Sequence, residues 1–155
     1  VIGLMTPNRQ SPVIDKPMEP TMNLSNRSLL NKTFLADGVY SLAVGAVLIL
    51  FAAPLASLFS PAATAPMMKI LGVGLVFWGI FHLAAARNGG PVAAAARVSI
   101  AGDILWQVAS VALLVAAYPF LTVAGIGFIV IGLITVADFL IFKLRGLARE
   151  QAAIA

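Results

Sequence analysis

The chain has no cysteine and a single histidine among its 155 residues. Without thiols it can form no disulfide and no thiolate metal site, and thiol-based redox chemistry is excluded. One histidine, His82, excludes a haem held between two histidines of the same chain. Charge is scarce as well: Asp, Glu, Lys and Arg make up 10% of the residues, against roughly 25% in ordinary soluble domains. The scarcity is concentrated. Gly38 to Met68 and Ile104 to Ala137 contain no charged side chain at all. A helix in water has to present a polar face, so runs this long and this apolar belong in lipid. Catalytic motifs are missing too: there is no nucleophile elbow, no phosphate-binding glycine loop after a strand and no His-Glu-x-x-His pair. Gly72-Val73-Gly74 and Gly125-Ile126-Gly127 lie inside apolar runs and do not read as dinucleotide loops. The expectation is a protein without enzymatic activity, resident cofactor or metal.

What is present is hydrocarbon. The composition is 61% hydrophobic with a mean hydropathy of +1.00. Each uncharged run is too long for one crossing and is broken by proline, at Pro54, Pro61 and Pro66 in the first and at Pro119 in the second. Each therefore reads as a helix, a turn and a returning helix. The pattern predicts an all-α, four-transmembrane-helix bundle with helices over about 33–53, 68–86, 98–117 and 121–142, within one domain spanning 29–149. Residues 1–28 read as a polar, proline-bearing cytosolic tail that is disordered unless it docks, with Met5 and Met22 as alternative starts, and 150–155 as a short cytosolic end. Leu55-Ala56-Ser57-Leu58-Phe59 reads as an interfacial stretch. Arg87-Asn88-Gly89-Gly90-Pro91 is a turn, and Tyr118-Pro119-Phe120 permits only a tight helical hairpin. Ala62-Ala63-Thr64-Ala65 looks like a signal cleavage site, but the polar stretch before the first helix is too long for a signal peptide.

The net charge of +4 follows from topology, because no basic cluster is interleaved with aromatics as a nucleic-acid surface requires. Arg9, Lys16, Arg27, Lys32, Arg87, Arg97, Lys143, Arg145 and Arg149 fall on one side of the predicted membrane, and Lys69 alone on the other. By the positive-inside rule both termini are cytosolic.

The two hairpins read as copies of each other. Asp37-Gly38-Val39-Tyr40-Ser41 matches Asp103-Ile104-Leu105-Trp106-Gln107 as acid, two residues, aromatic, polar. In the returning helices Gly72 and Gly79 match Gly125 and Gly132, each pair seven residues apart on one face. Two-helix units repeated in this way share one orientation, related by an axis along the membrane normal. The glycine faces predict close backbone packing between the second and fourth helices, within the bundle or between subunits.

Ionisable groups inside a membrane are rare and point to function or to pairing. Each predicted helix carries a basic residue at its rim (Lys32, Arg87, Arg97, Lys143) and an ionisable one five or six positions further in: Asp37, His82, Asp103 and Asp138. Asp37 shares a helical face with Tyr40 and Ser41, Asp103 with Trp106 and Gln107, and Thr135 with Asp138. The expected arrangement is a shallow polar collar beneath the inner surface, with Asp138 paired to Arg87, Arg97 or Arg145. Such a collar serves as a structural salt-bridge ring, as a proton or cation site, or as a docking site for a partner. A one-histidine, carboxylate-rich metal site from His82, Asp37, Asp103 and Asp138 is the weaker chemical alternative.

Four segments carry a family likeness: Ala36-Asp37-Gly38-Val39-Tyr40-Ser41, the Pro54-Leu55-Ala56 turn, Leu105-Trp106-Gln107-Val108-Ala109-Ser110 and the basic end Leu144-Arg145-Gly146-Leu147-Ala148-Arg149. In these the chain resembles a diffuse group of small bacterial four-helix membrane proteins of no settled function. The resemblance implies the topology and a bacterial inner membrane, and it implies no activity. The small multidrug transporters also have four helices, but they carry a glutamate within the first, where this chain has only Asp37. The functional expectation is an accessory subunit of a membrane complex or a self-associating bundle, with lipid and protein as its partners. The alternative is a small transporter or channel that uses Asp37 and Asp103 as a proton or cation site.

Overall fold

A computed structural model describes residues 27–87 and 89–153. The N-terminal tail through residue 26, with its alternative starts and with Arg9 and Lys16, lies outside the described residues, as do Asn88 and the last two residues. Among the described residues there are five α-helices, α1 (Leu29–Leu50), α2 (Ala52–Phe59), α3 (Ala65–Ala85), α4 (Ala93–Ala117) and α5 (Val123–Ala152), with a single 3-10 turn at Tyr118–Phe120. Four of them are long and apolar enough to cross a membrane, with α4 running on through the 3-10 turn. The class expected from the sequence is the class observed: an all-α helical bundle, and a multi-pass membrane protein.

Proline and hydroxyl chemistry set the helix ends. Ser28 caps α1 by accepting the Asn31 N–H at 3.2 Å. Thr122 caps α5 by accepting the Gly125 N–H at 2.9 Å. Pro54 and Pro66 fall in the first turns of α2 and α3, where no N–H is required of them. The α3–α4 connection turns on Gly89 and Gly90, whose φ angles of 99° and 131° suit glycine alone.

Two predicted boundaries move. The fourth predicted helix stops at residue 142, whereas α5 continues to Ala152 through Lys143, Arg145 and Arg149. The third begins five residues earlier than predicted, at Ala93. The predicted interfacial stretch is the short helix α2, which lies at the end of the bundle away from the described chain ends and ties the hairpins together there. Thr122 Oγ1 donates to the Leu58 carbonyl, the Thr122 N–H to Phe59 O at 3.1 Å and Ser60 Oγ to Phe120 O at 2.7 Å.

The glycines give the sharpest correction. The close backbone pair is α1 with α3, and not the second and fourth long helices. A Cβ built on Gly45 would lie 2.7 Å from Gly72 O, and one on Gly72 2.8 Å from Gly45 O. Gly38 and Gly79 meet in the same reciprocal way, the Cβ of Gly79 falling 2.8 Å from Gly38 O. The sequence reading paired Gly72 and Gly79 with the wrong partners because it overlooked Gly38 and Gly45, which carry the same spacing of seven on the antiparallel neighbour. On α5, Gly125 packs on the Phe59 backbone, and Gly132 has nothing within 4 Å. At the opposite end Gly146 lets α5 approach the backbone of Leu30 in α1.

Candidate functional site

The polar residues that come together are Asp37 and Ser41 of α1, His82 of α3, Ser99 and Asp103 of α4 and Lys143 of α5. Every long helix contributes. Lys143 is the hub and is fully buried. Its Nζ donates to Asp37 Oδ2 at 2.5 Å, to Asp103 Oδ2 at 2.6 Å and to His82 Nε2 at 3.1 Å. An ammonium group has three N–H bonds; two reach carboxylates, and the third has an acceptor in His82 Nε2 when that ring is neutral. Phe34, with its ring centroid 5.5 Å from Nζ, closes the hydrocarbon side of the cation.

His82 is fixed from both ends. Its Nδ1 lies 2.9 Å from the Trp78 carbonyl, which can only accept, so Nδ1 carries a hydrogen. Nε2 lies 2.7 Å from Ser99 Oγ and 3.3 Å from Asp37 Oδ2. In the neutral ring Nε2 accepts from Lys143 or Ser99; in the protonated ring it donates to Ser99 or Asp37. Rings of Phe34, Trp78 and Phe81 surround the imidazole, with centroids 4.9, 4.9 and 5.3 Å away. Ser41 Oγ donates to the second oxygen of Asp37 at 3.0 Å. The local charge does not balance: two carboxylates face one ammonium, and one further proton, on His82 or on a carboxyl group, makes the cluster neutral.

The remaining predicted residues lie elsewhere. Tyr40 packs edge-on against Phe139 of α5, with centroids 5.7 Å apart. Gln107 Nε2 donates to the Leu133 carbonyl of α5 at 2.9 Å. The buried Trp106 Nε1 has no partner among the described residues. Asp138 departs furthest from the expected collar. It is exposed, and it forms no ion pair with Arg87, Arg97 or Arg145 among the described residues. It precedes Lys143 by five residues, which places it about 7.5 Å deeper and about 140° around the helix. Asp37, Asp103 and Asp138 therefore do not share one level, and the expected three-carboxylate collar is in fact two carboxylates on a lysine.

Lys143 and Ser99 escaped the sequence reading. Lys143 was counted as a topology signal at the rim. Its face was legible all the same: it follows the buried Gly125 by eighteen residues, five helical turns, and so shares its side of α5. Ser99 precedes Asp103 by four residues and shares its face. The carboxylates that a divalent ion would need are turned onto the Lys143 ammonium, so the cation at this site is the protein's own.

Fold and site together define a multi-pass helical membrane protein with a buried ionic cluster joining its helices. No family model, curated protein or solved structure matches the chain.

Proposed function

We propose that this chain is a non-enzymatic protein of the bacterial inner membrane that acts through helix-face contacts, as an accessory subunit or a self-associating bundle. In this reading the cluster around Lys143 is the clamp that holds the two hairpins together. The observation that carries it is that the Lys143 ammonium is enclosed by the chain's own Asp37, Asp103 and His82, all within 3.1 Å, and not by open space that would admit a solute. A cavity lined by Pro61, Pro119 and Thr122 supports it, because it lies at the opposite end of the helices from the cluster. Exposure supports it as well, because in the α4 span only 6% of the most apolar window is buried within the bundle.

Orientation follows the same reasoning as before. Without the buried Lys143, the basic residues still divide eight against one, with Lys69 alone at the α2–α3 end, and this favours cytosolic termini. The test is the mass of the native particle in mild detergent. A homo-oligomer or a stable complex is expected; a monomer with no associated protein overturns the reading.

One observation favours a second reading, a proton or cation transporter using Asp37 and Asp103. The cluster carries an unbalanced negative charge beside an imidazole whose Nε2 has both a donor and an acceptor within reach. Liposome flux with Asp37→Asn and Asp103→Asn combined tests it, and unchanged flux ends it.

A further inference from the structure

At the end of the bundle away from α2, a groove of about 280 Å³ runs between α1 and α5, lined by Leu29, Lys32, Thr33, Ala36, Phe139 and Phe142. Its floor is hydrocarbon, because the one hydroxyl there, of Thr33, donates to the Leu29 carbonyl at 2.9 Å. One turn beyond Ala36 on the same face, Tyr40 meets Phe139 edge-on and closes the deep end. The two lips carry charge. Gly146 of α5 packs on the Leu30 backbone of α1 and so sets the register of these antiparallel helices. Lys32 lies two residues beyond Leu30 and Arg145 one residue before Gly146, which puts their Cα atoms within about 2 Å of one height. Both are exposed, and Arg145 follows Phe142 by three residues on the same face. Asp138 lies seven residues before Arg145, about 10 Å deeper, and out of reach of a group held between the lips.

Because α1 and α5 are membrane spans, this groove opens onto lipid. Acyl chains alone would fill it without preference. A cation on each lip, at one height, adds a demand that hydrocarbon does not meet: a negative charge tethered to a chain. We infer that the groove is a binding site for one anionic phospholipid. Its phosphate sits between Lys32 and Arg145, and one acyl chain lies along Ala36, Phe139 and Phe142. A guanidinium suits a phosphate because it can donate two parallel hydrogen bonds to it. Size selects the occupant as well, since a helix with its side chains is about 10 Å across and does not enter a groove of this volume. The surroundings agree in sign. Among the described residues Arg27, Lys32, Arg87, Arg97, Arg145 and Arg149 lie toward this end, with Glu150 the one acid among them. Basic pockets between membrane helices recognise anionic head groups in this way. The site is independent of the proposed function and goes beyond it.

The test titrates the full chain in mild detergent with dioleoyl phosphatidylglycerol or dioleoyl phosphatidylcholine, which share their acyl chains and differ in head-group charge. Native mass spectrometry counts the lipids retained, and the unfolding midpoint follows binding. One phosphatidylglycerol per chain is expected, held at least about tenfold more tightly than phosphatidylcholine. Each cation beside an anionic head group contributes about fivefold, so Lys32→Gln with Arg145→Gln should weaken phosphatidylglycerol about 25-fold and leave phosphatidylcholine unchanged. Arg87→Gln with Arg97→Gln removes the same charge from the same end, away from the groove, and should change binding less than about twofold. Ala36→Phe fills the groove while keeping both cations and should remove the bound lipid; should that variant fail to fold, the two charge pairs decide without it. Equal affinity for the two lipids, equal losses from the two charge pairs, or no lipid retained overturns the site. Lipid held as before by a folded Ala36→Phe chain overturns the groove. Glycerol phosphate that raises the midpoint as far as phosphatidylglycerol does overturns the lipid and leaves a soluble anion in its place.

Discussion

The two hairpins are similar in composition and differ in how they close. α1 and α3 meet backbone to backbone at Gly38–Gly79 and Gly45–Gly72, two turns apart in antiparallel register. α4 and α5 have no such pairs. Gly102, the one glycine within α4, is covered by the Trp78 ring of α3, while Gly127 and Gly132 of α5 face open space. What joins α4 to α5 is side-chain chemistry, Gln107 to Leu133 O and Asp103 to Lys143. In lipid, apolar surface gives helices no reason to prefer one another over the solvent, so glycine register and polar bonds decide which pairs are tight. The first hairpin closes on itself through glycine; the second is closed by directed bonds and meets the first at Gly125 on Phe59, at Gly146 on Leu30 and through Lys143.

The largest effect should come from breaking the joint between them. Lys143→Met leaves Asp37 and Asp103 buried around an absent cation, and loss of one partner of a buried pair costs about 3–5 kcal/mol. Thermal unfolding in mild detergent should show a correspondingly large drop in midpoint. Adding Asp37→Asn and Asp103→Asn to the same variant should recover most of it, since the stranded charges are then gone. A single variant that melts with the wild type would mean that the hairpins are held together by something other than this cluster.

Within the hairpins the contrast is next in size. Gly45→Val pushes a branched side chain into the Gly72 carbonyl, 2.7 Å from where its Cβ must sit. Overpacking of this kind costs about 1–3 kcal/mol. Gly132→Val has nothing within 4 Å to strike, and a change there should stay within about 0.5 kcal/mol. Equal losses at the two positions would erase the distinction between the hairpins. Gln107→Leu tests the second hairpin's own bond. It should cost about 0.6–1.5 kcal/mol, since the Leu133 carbonyl already accepts within its helix.

These contrasts show where the sequence was legible. Helix number and class follow from uncharged stretches longer than one crossing, and proline marked the turns because it tolerates only the first turn of a helix. The clustering of Asp37, His82 and Asp103 was visible as a shared depth, and Ser41 as a neighbour on the Asp37 face. Its centre was not, because a lysine after a long apolar run looks the same whether it stops the helix or turns inward from it. Asp138 was misplaced for the same reason: its depth was measured from Lys143 as if that residue marked the surface. Helical phase would have separated the two, since Lys143 shares a side with Gly125 and Asp138 does not. Pairing of glycine faces between helices depends on register across a loop, which one helix's spacing does not specify.

The smallest effect is the most discriminating, because it changes sign within a single helix. Gly72 and Gly74 lie two residues apart on α3, about 200° around its axis. The first is pressed against α1, where an added Cβ would come within 2.8 Å of the Gly45 carbonyl; the second has nothing within 4 Å. Alanine at 74 gains helix propensity at no steric cost and should raise stability by about 0.5–1 kcal/mol. Alanine at 72 makes the same propensity gain but has to drive two backbones apart, and it should lower stability. Both substitutions add one methyl group to one apolar helix, so hydrophobicity predicts the same sign for each. Opposite shifts in the unfolding midpoint would therefore isolate backbone approach as the force that closes the first hairpin, and parallel shifts would remove it.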